Sequence, residues 1–373
     1  MVIEMKNYQR IGFLLVLSAL FLSGCGGEKG SGKVTEICNV SYDPTRELYA
    51  EYGRVFEKHW LEMTGETITV EDTHAGSGAQ SRAVRDGGKE ADVVTLALAF
   101  DIDDIAMEHN GRPGLLSADW QKNFPNNSCP YISTIVIMVR KGNPKNIKGW
   151  EDLAKEDVQV ITPNPKTSGG ARWNYLAIWG YALDKELADL GGIDAVKDPA
   201  NAERVEAAQS AAYEFTKKIF ANCVAQGMPT GARDATDDFV KRGHGDAFLA
   251  WENEAILSQQ MAPDEFELVV PEISIKCEPP VAIVDAVVDR RGSRQIATEY
   301  LNYLYSPEGQ EVIAKNHYRP IDPEVMAKNR DQFPDVRFFS IDDVFGGWIA
   351  AQRKHFNSDG LFDQMLIELS GKQ

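Results

Sequence analysis

The chain has 373 residues, of which 43% are hydrophobic and 25% charged, and its formal net charge at pH 7 is -17. This length exceeds what a single core usually fills, so we expect two lobes. The acidic balance argues against nucleic acid as a partner, because nucleic-acid binding needs Lys and Arg to replace counterions. It argues equally against docking on anionic lipid through surface charge.

The N-terminus has the pattern of an export signal. Residues 11–22 are an apolar run that follows two basic residues and is too short to span a bilayer comfortably. The sequence Leu-Ser-Gly then precedes Cys25, which is typical of a lipobox, the site where a lipoprotein is cleaved and lipidated. An ordinary signal peptide with a chance cysteine is the alternative. We expect a lipoprotein signal peptide at 1–24, a lipid anchor on Cys25 and a flexible tether at 25–33.

Four further cysteines follow the tether: Cys38, Cys129, Cys223 and Cys277. They show neither CxxC spacing nor paired histidines, which argues against a zinc site. An exported chain meets oxidising conditions, and four cysteines allow three pairings. Buried free thiols are an equal alternative, and the sequence alone leaves both open.

The first part of the chain after the tether alternates strands with helices. Asp43 is predicted to be the N-cap of the first helix, with Pro44 in its first turn. The order strand–helix–strand–helix–strand predicts a parallel sheet covered by helices. The predicted elements are a strand at 34–42, a helix at 43–65, a strand at 67–72, a helix at 77–88 and a strand at 91–98.

A second α/β unit opens near residue 131. Its predicted elements are strands at 131–144 and 158–165, helices at 169–183, 202–225 and 236–243, a strand running into a helix at 246–255, a strand at 280–288, and a helix at 306–316 capped by Ser306. We therefore predict a first lobe beginning with 34–128, a second lobe at 129–280, and a return to the first lobe with C-terminal helices at 281–373. Ligand sites on such sheets lie at the carboxyl ends of the strands, where helices begin.

One stretch, Pro-Lys-Thr-Ser-Gly-Gly-Ala, places small residues at a predicted helix start. Ser168 occupies the N-cap position, and Gly169 and Gly170 occupy the first helical positions. The first N–H groups of a helix have no intrahelical partner, and the helix dipole adds partial positive charge there. Because glycine lacks a side chain, a ligand can approach this backbone closely. The pattern therefore predicts an anion site without a cationic side chain.

Two other stretches have a similar composition. Ser77-Gly78 opens the helix predicted at 77–88, and Gly231-Ala232 lies ahead of the helix predicted at 236–243. Each alone is typical of an ordinary capped helix or tight turn. Three of them, on two predicted lobes, favour one shared small oxyanion. Trp251 ends an apolar strand, so its indole N–H is predicted to point into the same cleft.

Enzyme interpretations find little support in the sequence. Ser77 lacks the G-x-S-x-G elbow of a nucleophile, and the histidines are scattered without metal-binding spacing. His74 is better interpreted as a turn or packing residue than as a catalytic base. Residues 101–104 are better interpreted as the start of a helix than as a calcium-binding loop. Trp173 and Trp179 are predicted to pack within a helix. We expect no catalytic residue, metal or cofactor.

The assembled motifs resemble the sulfate-binding proteins of bacterial ABC importers. The resemblance runs from about residue 39 to about 363, and its motifs are NVSYDPTRELY, GSG, ADVVTLALAFD, STIVIMVRKGNPK, VITPNPKTSGGARWNYLAIWGYAL, AWENEA, YLYSPEGQE and DDVFGGW. It implies an α/β, two-lobed periplasmic-binding-protein fold of type II, hinged, with sulfate in the inter-lobe cleft. It also implies an extracytoplasmic, monomeric protein that delivers sulfate to the permease subunits of an ABC transporter.

The resemblance also implies the ligand contacts. Five are main-chain N–H groups, one is a hydroxyl and one is an indole. The implied donors are the N–H groups of Asp43, Ser77, Gly169, Gly170 and Ala232, the Ser168 hydroxyl and the Trp251 indole N–H. The chain departs from the family pattern at Ala75, where the family has glycine, and in the PTGARDAT loop around Ala232. Neither departure removes a donor.

A site made only of donors suits sulfate, because sulfate carries no proton at neutral pH. Phosphate keeps a proton and would need an acceptor, and an unmatched buried polar group is a strong basis for rejection. The main alternative ligand is thiosulfate, and molybdate and phosphate are weaker alternatives. The alternative class of protein is a hydrolase of sulfate or phosphate esters. Three arginines lie near the motifs: Arg46, Arg172 and Arg233. They either balance the charge of the ligand from behind the site or are ordinary solvated helix residues.

Overall fold

The computed structural model describes residues 34–371. The predicted signal peptide at 1–24, the lipidation site Cys25 and the tether at 25–33 lie outside the described residues and stay predictions. The strands are β1 (Glu36–Tyr42), β2 (Thr69–Ala75), β3 (Val93–Thr95), β4 (Tyr131–Ile132), β5 (Ile135–Arg140), β6 (Val160–Ile161), β7 (Ala247–Trp251), β8 (Phe266–Val269), β9 (Ile273–Ile275), β10 (Val281–Ile283), β11 (Arg319–Pro320) and β12 (Arg337–Phe339).

The helices alternate with these strands in the first three quarters of the described chain and dominate its C-terminal part. They are α1 (Arg46–Thr64), α2 (Ser77–Arg85), α3 (Ala99–Ala106), α4 (Pro125–Ser128), α5 (Gly169–Glu186), α6 (Ala202–Val224), α7 (Ala232–Val240), α8 (Glu252–Met261), α9 (Asp285–Arg291), α10 (Arg294–Tyr303), α11 (Pro307–Lys315), α12 (Pro323–Lys328), α13 (Ile341–Phe345), α14 (Gly347–Ala351) and α15 (Leu361–Ser370).

A four-stranded sheet in the order β10-β3-β1-β2 forms the first half of the molecule. Strand β1 runs parallel to both β2 and β3, and β10 joins antiparallel. Helix α1 covers this sheet with the apolar residues Leu48, Tyr52 and Phe56, which recur at helical spacing and are fully buried. Gly65 ends α1 in the left-handed conformation, at φ 73°. The predicted parallel strand–helix arrangement is confirmed.

A second four-stranded sheet, in the order β6-β7-β5-β8, forms the other half. Strand β5 lies antiparallel to β7 and β8, while β6 lies parallel to β7. The sequence IVIMVR of β5 is buried on both faces except at its last residue, as expected for a central strand covered by helices. Helices α5 and α7 pack against this sheet. The predicted two-lobed α/β class is confirmed.

Short ladders connect the two halves. Strand β11 pairs with β4, and an isolated bridge joins Ser133 to Cys277. The C-terminal helices pack on the α5 side, where the Trp348 ring lies 4.6 Å from the Trp173 ring, edge to face. The exact lobe boundaries at 34–128, 129–280 and 281–373 stay predictions.

Several local predictions were wrong, among them the strand predicted at 158–165, which is a strand only at Val160–Ile161. The strand predicted at 280–288 is a strand only to Ile283, and α9 follows from Asp285, because a short apolar run does not separate strand from helix. Helix α7 begins at Ala232 rather than 236, with an extended Gly231 as its N-cap. Asp43 is not an N-cap: it is the first residue of a 3-10 turn whose N-cap position is Tyr42, and its carboxylate accepts a long hydrogen bond from Arg46 at 3.5 Å.

The four described cysteines are free thiols, and all but Cys38 are buried. The sequence left disulfide pairing and free thiols as alternatives, and the structure has free thiols. Among residues 34–371, no cluster of three or more metal-ligating side chains is present. In the same part of the chain, no helix combines the length and apolar character needed to cross a membrane.

Candidate functional site

The N-terminus of α5 forms the centre of the candidate site. Ser168 is its N-cap, and the Ser168 hydroxyl oxygen accepts a hydrogen bond from the Ala171 N–H at 3.3 Å. Because a hydroxyl accepts and donates at once, its own hydrogen stays available to a ligand. Gly169 and Gly170 occupy the first helical positions, where N–H groups have no intrahelical partner. This end of α5 therefore presents three donors together.

The glycines of this turn touch residues from both halves of the molecule. A Cβ atom placed on Gly170 would lie 3.0 Å from the Trp251 indole nitrogen and 3.6 Å from the Ser168 hydroxyl oxygen. A Cβ atom on Gly169 would lie 3.0 Å from the Ser77 Cβ atom. The glycines therefore allow Ser77 and Trp251 to approach the α5 N-terminus more closely than a side chain would comfortably permit.

Ser77 offers its backbone rather than its hydroxyl. It is the first residue of α2, so its N–H lacks an intrahelical partner. Its hydroxyl donates to the Asp101 carboxylate at 2.5 Å and accepts from the Ala97 N–H at 3.0 Å. Burial raises the pKa of the Asp101 carboxyl, while Arg172 and the Ser77 hydroxyl lower it. The Asp101 carboxylate therefore holds the Ser77 side chain away from the other donors.

Asp43 and Ala232 form the remaining side of the site. Asp43 follows β1 directly, and a Cβ atom on Gly231 would lie 3.4 Å from an Asp43 carboxylate oxygen. The carboxylate also lies 3.5 Å from Arg46. Burial raises the pKa of Asp43, against the lowering effect of Arg46 and Arg233. This carboxylate lies against the α7 N-cap instead of capping its own turn, which replaces the predicted arrangement.

The Trp251 side chain closes the site from the end of β7. Its ring is tilted against Tyr42, with centroids 5.6 Å apart, and it is 3% exposed. The indole nitrogen lies 3.5 Å from the Gly170 carbonyl oxygen, which is a long contact for a hydrogen bond. The indole N–H is therefore only weakly held by the protein and lies within reach of the α5 turn.

Several contacts join the two halves around the site. The Trp173 indole donates to the Ala97 carbonyl oxygen at 2.9 Å, and the Asn253 amide donates to the Pro44 carbonyl oxygen at 3.2 Å. Every one of the predicted donor residues except Asp43 is buried, and Asp43 is intermediate. Such enclosure excludes water, which strengthens any interaction between a donor and an anion. Trp173 and Trp179 are fully buried, and their predicted packing role is confirmed.

The three nearby arginines differ in their surroundings. Arg172 is 11% exposed at the side chain and lies 3.9 Å from the Asp101 carboxylate, so the interpretation as a solvated residue is wrong for it. Arg233 forms two 3.0 Å contacts with Glu47 and lies 3.4 Å from Glu254. Arg46 is half exposed. Arg172 and Arg233 therefore face carboxylates behind the site.

Glu254 is a buried group that the sequence analysis missed. Its carboxylate accepts a hydrogen bond from the Thr236 hydroxyl at 2.9 Å, whereas Arg233 approaches its other oxygen without hydrogen-bond geometry. Burial raises its pKa to about 7, against the lowering effects of Arg233 and Thr236. Nothing distinguishes this glutamate in the sequence, because exposed helix starts also favour acidic residues.

Glu254→Gln is expected to stabilise the protein at pH 8 but not at pH 5. A carboxyl whose folded pKa is about 7 and whose ordinary value is 4.5 stabilises the folded state below pH 4.5, and this contribution is lost as pH rises through 7. The uncharged amide avoids that loss, which we expect to be about 3 kcal/mol at pH 8. Urea unfolding at both pH values in anion-free buffer measures it. A difference that does not change with pH would contradict this assignment.

The fold and the enclosed cleft define a hinged, two-lobed periplasmic-binding-protein architecture of type II. The structure is similar to the sulfate-binding protein SubI from Mycobacterium tuberculosis, with a TM-score of 0.71, 29% identity, and coverage of 87% of this chain and 100% of that one. It also shares its fold with the periplasmic binding protein AfuA from Actinobacillus pleuropneumoniae, at a TM-score of 0.61 and 16% identity, covering 90% and 99% of the two chains.

Sequence comparison narrows this class. Residues 39–319 match the family model of the bacterial extracellular solute-binding proteins. The chain is 48% identical to the sulfate-binding protein of Escherichia coli over 334 residues, which cover 89% of this chain and 93% of that protein. It is 44% identical to the thiosulfate-binding protein of Pseudomonas aeruginosa, covering 88% and 91%. The chain belongs to the sulfate-binding proteins of this extracellular solute-binding family.

Proposed function

We propose that this chain is an extracytoplasmic receptor that binds sulfate and delivers it to an ABC-type importer. The observation that carries the proposal is the meeting of helix starts from both halves at the α5 N-terminus, with Ser77 and Trp251 beside Gly169 and Gly170. In this proposal the ligand accepts hydrogen bonds from the N–H groups of Asp43, Ser77, Gly169, Gly170 and Ala232, from the Ser168 hydroxyl and from the Trp251 indole.

The proposed site distinguishes sulfate from phosphate by having donors only. The Asp101 carboxylate accepts from the Ser77 hydroxyl, and the Asp43 carboxylate lies against Gly231 and Arg46. Neither is therefore assigned as an acceptor for a ligand proton. A protonated oxyanion would bury its hydrogen without a partner, which costs about 1–3 kcal/mol or more for a buried polar group.

Thiosulfate is the second candidate ligand. The similarity to the thiosulfate-binding protein of Pseudomonas aeruginosa favours it, and thiosulfate shares the tetrahedral shape and the lack of a proton. Molybdate and phosphate are weaker alternatives. The proposed protein is a monomeric, non-enzymatic receptor, held at the outer face of a membrane by a lipid on Cys25. Closure of the lobes around the anion would be the signal to the permease subunits.

Thermal unfolding tests this proposal first. A ligand that binds only the folded protein raises its melting temperature with concentration. We expect sulfate and thiosulfate to raise the melting temperature of the purified protein and phosphate at equal ionic strength to leave it unchanged. An equal shift with all three anions would indicate a salt effect and count against a specific site, and turnover of a sulfate ester would favour a hydrolase.

Trp251→Phe is expected to weaken sulfate binding about 10-fold, because a hydrogen bond to a charged group contributes about 1.5–3 kcal/mol and Phe retains the ring packing. Calorimetric titration of the variant measures the loss. The matched control is Trp179→Phe, since Trp179 is equally buried but its indole donates to Gln209 at 2.9 Å, on α6. Unchanged affinity in the Trp251 variant would remove the indole from the donor set.

A further inference from the structure

Glu252 and Arg319 form a buried ion pair beside the candidate site. Arg319 donates to the two carboxylate oxygens of Glu252 at 2.7 and 2.6 Å. The Arg319 side chain is 8% exposed and that of Glu252 is 0% exposed. Arg319 also donates to the Pro334 carbonyl oxygen at 2.7 Å and lies 5.3 Å from the ring centroids of both Phe333 and Phe338. The guanidinium is therefore fixed on several sides.

The pair joins a connecting strand to the residue that follows Trp251. Arg319 belongs to β11 and is paired with Ile132 of β4, within the ladders that link the two halves. Glu252 is the first residue of α8, and its main-chain N–H donates to the Thr134 carbonyl oxygen at 2.9 Å. The first turn of α8 is thus attached to the connecting segments by both its backbone and its first side chain.

We propose that the Glu252–Arg319 pair positions the Trp251 indole toward the bound anion, an inference that rests on the proposed function. A buried ion pair adds little net stability over an apolar pair, since both charges lose their hydration. Its two-point geometry instead fixes the plane of the carboxylate and hence the orientation of the residue that carries it. Because Trp251 is adjacent in the chain, a change in that orientation displaces the indole donor, whose hydrogen bond to Gly170 is long.

A double-mutant cycle separates this role from general stability. Glu252→Gln is expected to lower sulfate affinity about 10-fold, and Trp251→Phe is expected to have less than about a 3-fold effect once Glu252 is replaced, because the indole is then already misplaced. Calorimetric titration of the purified wild type, both single variants and the double variant measures the coupling. Additive effects of the two substitutions would overturn the inference.

Asp92→Asn provides the matched control. Asp92 lies just before β3, is fully buried and is paired with Arg291 at 2.7 Å, so its replacement also deprives a partly buried arginine of its carboxylate partner. We expect this variant to lower the melting temperature but to leave sulfate affinity unchanged. Trp251→Phe should then weaken sulfate binding as much in the Asp92→Asn variant as in the wild type. A loss of affinity as large as that of Glu252→Gln would indicate a general effect of destabilisation and overturn the inference.

Arg319→Lys tests the same idea if Glu252→Gln fails to fold. Lysine retains the charge but not the two-point contact, so we expect weaker sulfate binding and a smaller effect of Trp251→Phe, as in the first cycle. Wild-type affinity in this variant would overturn the positioning role. Failure of the wild type itself to bind sulfate would overturn the proposed function, whereas wild-type binding with an additive cycle would overturn only this inference.

Discussion

Gly170→Ala is expected to lower sulfate affinity about 100-fold or more, because the new methyl group displaces the Trp251 indole, a proposed donor contributing about 1.5–3 kcal/mol, and also obstructs the anion itself. Its Cβ atom would lie 3.0 Å from the Trp251 indole nitrogen and 3.6 Å from the Ser168 hydroxyl oxygen. It would also cover the backbone that the anion must approach. Calorimetric titration with sulfate measures the loss.

Helix α5 itself should tolerate this substitution. Alanine is favoured over glycine within a helix by about 0.5–1 kcal/mol, so the loss of binding should not come from helix instability. Gly149→Ala is the matched control, since among the described residues no atom lies within 4 Å of its Cβ position. Equal affinities of the Gly170 variant and this control would contradict the placement of the anion at the α5 N-terminus.

Ser168→Ala is expected to lower sulfate affinity about 10- to 100-fold, the effect of losing one hydrogen bond to a charged group. It should also cost about 1 kcal/mol of stability, because Ser168 caps α5 through the Ala171 N–H. Titration with sulfate and urea unfolding of the same preparation measure the two effects separately.

Ser306→Ala controls for the loss of a helix cap. Ser306 caps α11 by accepting from the Gly309 N–H at 3.0 Å, so its replacement removes a comparable interaction outside the candidate site. We expect a similar loss of stability with unchanged sulfate affinity. If the two variants lost stability and affinity alike, the Ser168 effect would come from capping, and the hydroxyl would not be a ligand donor.

The sequence predicted two of the three helix starts of the site, those of α2 and α5, because their signals are local, whereas it placed the start of α7 four residues too late. Ser168, Gly169 and Gly170 are the N-cap and first-turn residues expected from composition, and Ser77 opens α2 as predicted. Trp251 ends its strand as predicted, because an apolar run followed by polar residues marks the boundary. These features depend on a few adjacent residues, which a single sequence displays.

The features that the sequence did not predict depend on long-range packing. The burial of Glu254 and Arg172, and the pairing of Glu252 with Arg319 across 67 positions, arise only when distant segments pack together. A charged residue in a single sequence does not reveal whether a partner will bury it. The Asp43 side chain is a further case, because its approach to Gly231 is decided by the meeting of the two halves.

Calorimetric titration of the anion-stripped protein with sulfate, thiosulfate, molybdate and phosphate tests the central claim most directly. Unfolding and refolding in anion-free buffer removes any bound ligand before the titration. The all-donor site predicts sulfate binding at micromolar affinity or tighter, with no binding heat from phosphate. Absence of sulfate binding, or a preference for phosphate, would contradict the account, because a carboxylate such as Asp43 would then have to face the ligand as an acceptor.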